Sequence, residues 1–217
     1  MNNFEAILDY GSKNLRLGVF DKESKNVFFS KVEISNFLEN KSLDLALNKL
    51  IRDAEKKLST HLVDINVLYD TSKYNFIELS IKRTFDQPTS IKLLYDSLLE
   101  EAHFLVSENS FKNQIIHIIV NNTIVNGNNK LGKISEDIKI NSLILEIKFI
   151  CLNKSLINDI SKTFKKNNLK ILNIYCSSYV KTVFYNKDLE AKNNYLFLDV
   201  GHNRTTVLFF KNFKLQF

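Results

Sequence analysis

Glycine, proline, tryptophan and cysteine are all scarce in this chain, and each scarcity excludes something. Tryptophan is absent, proline and methionine occur once each, and there are two cysteines and five glycines in 217 residues. So little glycine and proline excludes collagen-like and low-complexity segments. Cys151 and Cys176, both in apolar surroundings, provide no disulfide framework and read as reduced core residues. The longest apolar stretch, Leu143 to Leu152, is broken by Glu146 and Lys148. It falls short of the roughly 20 residues a membrane span needs. The opening Met1-Asn2-Asn3-Phe4-Glu5 lacks the basic-then-apolar order of a secretory signal, so a cytoplasmic protein is expected. His61, His103, His117 and His202 are scattered without metal-ligand spacing, so no metal site is expected. No Ser-His-Asp order or paired-carboxylate helix nominates a catalytic residue. The net charge of +6 comes from lysines spread among asparagines, with no arginine cluster. A solvated surface, with no nucleic-acid partner, is the expectation.

What is present is a repeat. Asp9-Tyr10-Gly11-Ser12 returns as Asp199-Val200-Gly201-His202, each time after a short apolar run and before a second β-like run. With five glycines in the whole chain, two in matched contexts carry information. A tight turn between strands offers backbone N–H groups to phosphate oxygens, and glycine lets the backbone come close. An ionised aspartate at the strand end suits a water in the shell of Mg²⁺. In this reading Gly11, Ser12, Lys13 and Asn14 form one phosphate loop and Gly201 to Thr205 the other, with Asp9 and Asp199 behind them. The plainer alternative is that each Asp-x-Gly is only a hairpin turn.

Between the repeats, Ala6–Asp9, Leu15–Phe20 and Val27–Ile34 read as a three-stranded meander. Ser42 caps a helix with Leu43, Leu47, Leu50, Ile51, Ala54 and Leu58 on one face, Asp44 standing in its first turn. Val63–Tyr69 is the next strand. Phe76–Ile81 is a strand, Pro88 and Thr89 start a helix through Leu105, and Ile115–Val120 is a strand again. Asn121–Asn141 reads as a loop around a short strand at Thr123–Val125, and Leu143–Cys151 as an alternating strand. Asn153–Lys166 is an amphipathic helix, Lys170–Tyr175 a strand and Ser177–Tyr185 a short helix. Tyr195–Asp199 and Thr205–Phe210 repeat the opening hairpin, and Phe213, Leu215 and Phe217 begin a third strand.

With two such hairpins on either side of an inserted unit, the chain resembles the FtsA-type bacterial cell-division proteins of the actin-like ATPase superfamily. Ile7-Leu8-Asp9-Tyr10-Gly11-Ser12-Lys13-Asn14-Leu15-Arg16 looks like the family's first phosphate motif, and Tyr195 to Phe210 like its second. At that second loop the family's Asp-x-Gly-Gly-Gly-Thr is replaced by Asp199-Val200-Gly201-His202-Asn203-Arg204. Ile116-His117-Ile118-Ile119 is similar to the strand opening the family's second half, and Asn168–Leu172 to its helix-to-strand junction. The resemblance implies an α/β fold: an actin-like (ribonuclease H-like) domain with an inserted α+β subdomain, then the first hairpin of a second actin-like domain. Expected boundaries are 1–71 and 153–194 for the first domain, 72–152 for the insertion (SHS-two type) and 195–217 for the start of the second.

The resemblance also implies ATP and Mg²⁺ as ligands, with Asp9, Gly11, Ser12, Lys13, Asn14, Asp199, Gly201 and Thr205 as their contacts. It implies a non-enzymatic adaptor, at most a weak ATPase, at the cytoplasmic face of the membrane at the division site. The partners would be the tubulin-like FtsZ, other division proteins and further copies of itself. An adenosine-binding segment, an FtsZ-contacting surface and a C-terminal amphipathic helix for membrane contact would follow Phe217. The expectation is a truncated form that does not close an ATP site by itself. A PilM-like pilus or secretion scaffold shares this layout. A phosphotransferase of the sugar or acetate kinase class also uses paired phosphate hairpins, and needs a carboxylate base beside its substrate.

Overall fold

A computed structural model describes residues 4–34, 40–130, 139–186, 194–212 and 214–216. The chain divides into two compact units, one of Met1–Ser72 with Ser155–Phe217, the other of Lys73–Lys154.

The first unit is built on a five-stranded mixed sheet. Strands β1 (Phe4–Tyr10), β2 (Asn14–Asp21) and β3 (Asn26–Glu33) form the meander. Helix α1 (Asn40–Leu58) then leads to β4 (Asp64–Tyr69). Further along, α3 (Lys154–Lys166), β9 (Lys170–Cys176) and α4 (Ser177–Asn186) return to the same sheet. The strand order is β3-β2-β1-β4-β9, with β1, β4 and β9 parallel and the other pairs antiparallel. Period-two alternation puts Ala6, Leu8 and Tyr10 opposite Val19, Leu17 and Leu15, and all six are buried on one face. Leu47, Leu50 and Ala54 of α1 are buried as well, and α1 packs on β2 and β3. The Tyr10 ring lies 5.3 Å from Tyr69 and 6.4 Å from Phe164 of α3. Burial, then the neighbouring Tyr69 and Asp44, push its hydroxyl well above the usual tyrosine range.

A second, three-stranded sheet in this unit has the order β10 (Asn194–Val200), β11 (Thr205–Lys211), β12 (Lys214–Leu215). It buries Leu208, Phe210 and Leu215, with Tyr195 stacked on Phe210 at 4.7 Å. Its other face is open among the described residues. Leu196, Leu198 and Val200 are 61%, 57% and 75% exposed, and Val207, opposite Leu198, is exposed too.

The second unit is a four-stranded antiparallel sheet, β5 (Tyr74–Ser90), β8 (Lys139–Asn153), β6 (Asn113–Val125) and β7 (Asn128–Lys130) in that spatial order. Helix α2 (Ile91–Asn109) contributes Ile91, Leu98, Ala102 and Val106 to a core with Leu143, Leu145, Ile147 and Phe149 of β8.

Several local expectations are corrected. α1 is already helical at Asn40, so Ser42 lies inside it and no acidic residue stands in the first turn. The apolar periodicity starts only at Leu43, and polar residues extend the helix upstream of it. Pro88 and Thr89 belong to β5, and α2 starts after Ser90. The β5–β8 register jumps from Thr84↔Ser142 to Thr89↔Ile140, leaving Pro88 unpaired, where its missing N–H breaks no ladder bond. Leu105 is exposed and Val106 takes the core position. Within the expected loop of Asn121–Asn141, the expected strand Thr123–Val125 is the end of β6, which also takes in Asn121 and Asn122; β7 and the start of β8 are strand as well, and residues 131–138 lie outside the described residues. Asn126 and Gly127, at φ of 49° and 81°, make a two-residue hairpin turn closed by Val125↔Asn128. Ile116–Ile119 lies in β6, inside the unit of Lys73–Lys154 and not at the opening of a second half. Of the expected third strand, Phe213 and Phe217 fall outside the described residues.

Candidate functional site

The two Asp-x-Gly segments are the same structure written twice. Tyr10↔Leu15 closes a four-residue turn in β1–β2, and Val200↔Thr205 closes one in β10–β11. In the first, the N–H of Gly11 donates to the Asn14 carbonyl at 3.2 Å, and in the second the N–H of Gly201 donates to the Arg204 carbonyl at 2.8 Å. Glycine is favoured at both for one reason: an added Cβ would lie 2.9 Å from the Arg204 oxygen, where something must shift, and 3.0 Å from the Asn14 oxygen, where that carbonyl must give by a few tenths of an ångström. Close backbone approach selects it, since neither glycine has a positive φ.

Both turns open onto one cleft of about 170 Å³. Asp9, Gly11, Ser12, Lys13, Asn14 and Arg16 line it from the first hairpin, and Asp199, Val200, Gly201 and His202 from the second. Asp70, just past β4, and Ser177 and Lys181 of α4 complete it. Seven of the eight residues singled out from sequence therefore meet at one place. The eighth, Thr205, is exposed beside Val200 and is not among the lining residues.

Helix α4 explains how the hairpins are tied together. Its first two residues, Ser177 and Ser178, are buried and donate to the two aspartates, Ser177 Oγ to Asp9 at 3.5 Å and Ser178 Oγ to Asp199 at 2.9 Å. The positive end of a helix favours carboxylates here. One turn further, Lys181 Nζ reaches both Asp199 oxygens, at 3.2 and 2.9 Å. Asp9 is held by its cross-strand partner Arg16 at 2.6 Å. The equivalent position in the second hairpin is Thr206, so there the helix supplies the cation. Asp70 pairs with Arg204 at 3.0 Å, which turns that side chain toward β4. Lys13 pairs with Glu33 at 3.4 Å. Among the described residues no hydrogen bond takes the N–H groups of Ser12, Lys13, His202 or Asn203.

Arg16, Asp70, Ser177, Ser178 and Lys181 were missed from sequence. Arg16 was legible in principle, because a four-residue turn pairs position i with i+7. The others depend on the β4–β9 pairing, which joins distant parts of the chain. Cys176, just before α4, is a buried cysteine whose thiol is pushed up to about 11, chiefly by burial. Burial therefore disfavours its thiolate at neutral pH.

The chemistry of this cleft is that of an anion-sized recess. At about 170 Å³ the recess is smaller than the roughly 300–1,000 Å³ usual for ligand pockets and is on the scale of phosphate groups. Among the described residues no three His, Cys, Asp or Glu side chains converge as metal ligands, and no helix is long and apolar enough to cross a membrane.

No protein-family model matches the chain, and no curated protein matches its sequence. Solved structures do. The chain superposes on one from the PilM-PilN type IV pilus biogenesis complex over 97% of its length, with a TM-score of 0.62 and 10% identity. It spans 59% of that neighbour's length. A second match, the ethanolamine utilization protein EutJ from Carboxydothermus hydrogenoformans, covers the whole chain and 50% of its own at a TM-score of 0.47 and 10% identity. At such identity the likeness is one of fold alone.

Proposed function

We propose that this protein is an actin-like scaffold that holds a phosphate-bearing ligand between its twin hairpins and docks protein partners in a membrane-associated assembly. The observation that carries this reading is the convergence of two identical glycine turns on one recess, within a fold matched end to end by a pilus-biogenesis protein. A PilM-like role, on the cytoplasmic side of a secretion or pilus machine, fits that match. The division reading, with FtsZ as partner, rests on the Asp9-Tyr10-Gly11-Ser12 resemblance. A kinase is disfavoured by the site itself, because Asp9, Asp70 and Asp199 are each paired with a cation and none is placed as a general base.

Two measurements test the proposal. Binding of the purified chain to pilus-assembly and division proteins from its own genome is expected to favour the pilus set, and exclusive binding to FtsZ would reverse the choice. Calorimetric titration with Mg-ATP is expected to show no micromolar affinity, because the recess is smaller than an ordinary ligand pocket and its lining is mostly polar, suited to phosphate and not to an adenine ring. Micromolar binding by the 217-residue chain would contradict that account.

A further inference from the structure

We propose that phosphate groups enter the cleft without a divalent metal ion, because Arg16, Lys181 and Arg204 already occupy the carboxylates that a metal would need. The inference rests on the reading of the recess as a phosphate site and adds how charge is balanced there. Mg²⁺ demands oxygen ligands in near-octahedral array, usually one or two carboxylates besides water and phosphate. Here Asp199 offers both oxygens to Lys181 Nζ and one also to Ser178, and Asp9 is held by Arg16 at 2.6 Å and by Ser177. Asp70 is taken by Arg204.

These pairings follow from the backbone. Arg16 is fixed opposite Asp9 by the β1–β2 ladder, and Lys181 stands one turn beyond Ser177 on α4. A divalent ion would have to displace an ammonium or guanidinium group that the fold delivers to that spot, and would then face its positive charge at close range. A phosphate meets the opposite situation. It finds the residues of the two turns, the Ser12 hydroxyl and the cationic side chains of Arg16 and Lys181 lining the recess.

The test uses inorganic pyrophosphate and Mn²⁺ on the 217-residue chain. Pyrophosphate affinity by calorimetry is expected to be the same within about twofold in EDTA and in Mg²⁺, and Mn²⁺ alone is expected to leave no bound fraction in its paramagnetic resonance spectrum. Lys181→Met, which frees Asp199, is expected to gain stoichiometric Mn²⁺ binding. Arg16→Met serves the same purpose at Asp9 should the first variant fail to fold. Pyrophosphate binding at least tenfold tighter with Mg²⁺, or Mn²⁺ bound by the wild-type chain, overturns the inference and leaves the phosphate site standing. Variants that fold and still ignore Mn²⁺ overturn the claim that the cations exclude it. Pyrophosphate binding under neither condition removes the phosphate site itself, and the inference with it.

Discussion

Single residues fix the geometry of the hairpins more tightly than their loop position suggests. At Gly201 a methyl group would press to 2.9 Å on a backbone oxygen that has no flexible end to swing away. Gly201→Ala is therefore expected to cost about 1–3 kcal/mol, measured by urea denaturation, and Gly11→Ala a similar or smaller amount. Gly127 differs: it meets nothing within 4 Å but holds φ of 81°, so its requirement is conformational. His117, partly buried in β6, is held down to about 4 by desolvation. The unfolded chain binds that proton near pH 6.5, so stability falls as the pH drops from about 6.5 to about 4. The expected loss reaches about 3 kcal/mol, and His117→Gln should flatten the difference between denaturation curves at pH 7 and pH 4.5.

At the scale of elements, two hairpins of one design meet different surroundings. The buried face Ala6, Leu8, Tyr10 of β1 corresponds, position for position, to the exposed Leu196, Leu198, Val200 of β10. An apolar stripe of this kind in water favours self-association. Leu198→Lys is expected to raise the onset temperature of aggregation in light scattering while changing unfolding free energy by less than about 0.5 kcal/mol. The same elements show what was legible beforehand. Short apolar runs flanking the Asp-x-Gly turns marked the strands of both hairpins, and 3.6-residue periodicity marked α1 and α3, whose apolar residues fall on one face. The full lengths of β5 and β6 were not legible. Polar stretches around Thr84–Ser90 and Asn121–Thr123 gain strand structure from pairing with β8, which local sequence does not report.

For the whole molecule, the cleft depends on a pairing that the local sequence never signals. β4 and β9 lie side by side only after the chain has travelled through the unit of Lys73–Lys154 and returned. Glycine turns at both ends could be seen in the sequence. The helix that latches both aspartates could not, since Ser177 and Ser178 become meaningful only once β9 delivers them beside β1 and β10.

That same pairing carries a cost in chain entropy. Asp64 and Lys170 must find each other across about a hundred residues of chain, and the entropy of closing so long a loop is lost before any contact rewards it. Collapse of the intervening unit first would shorten the effective loop to a few links. Speed of maturation would then be governed by a region that contributes no residue to the recess.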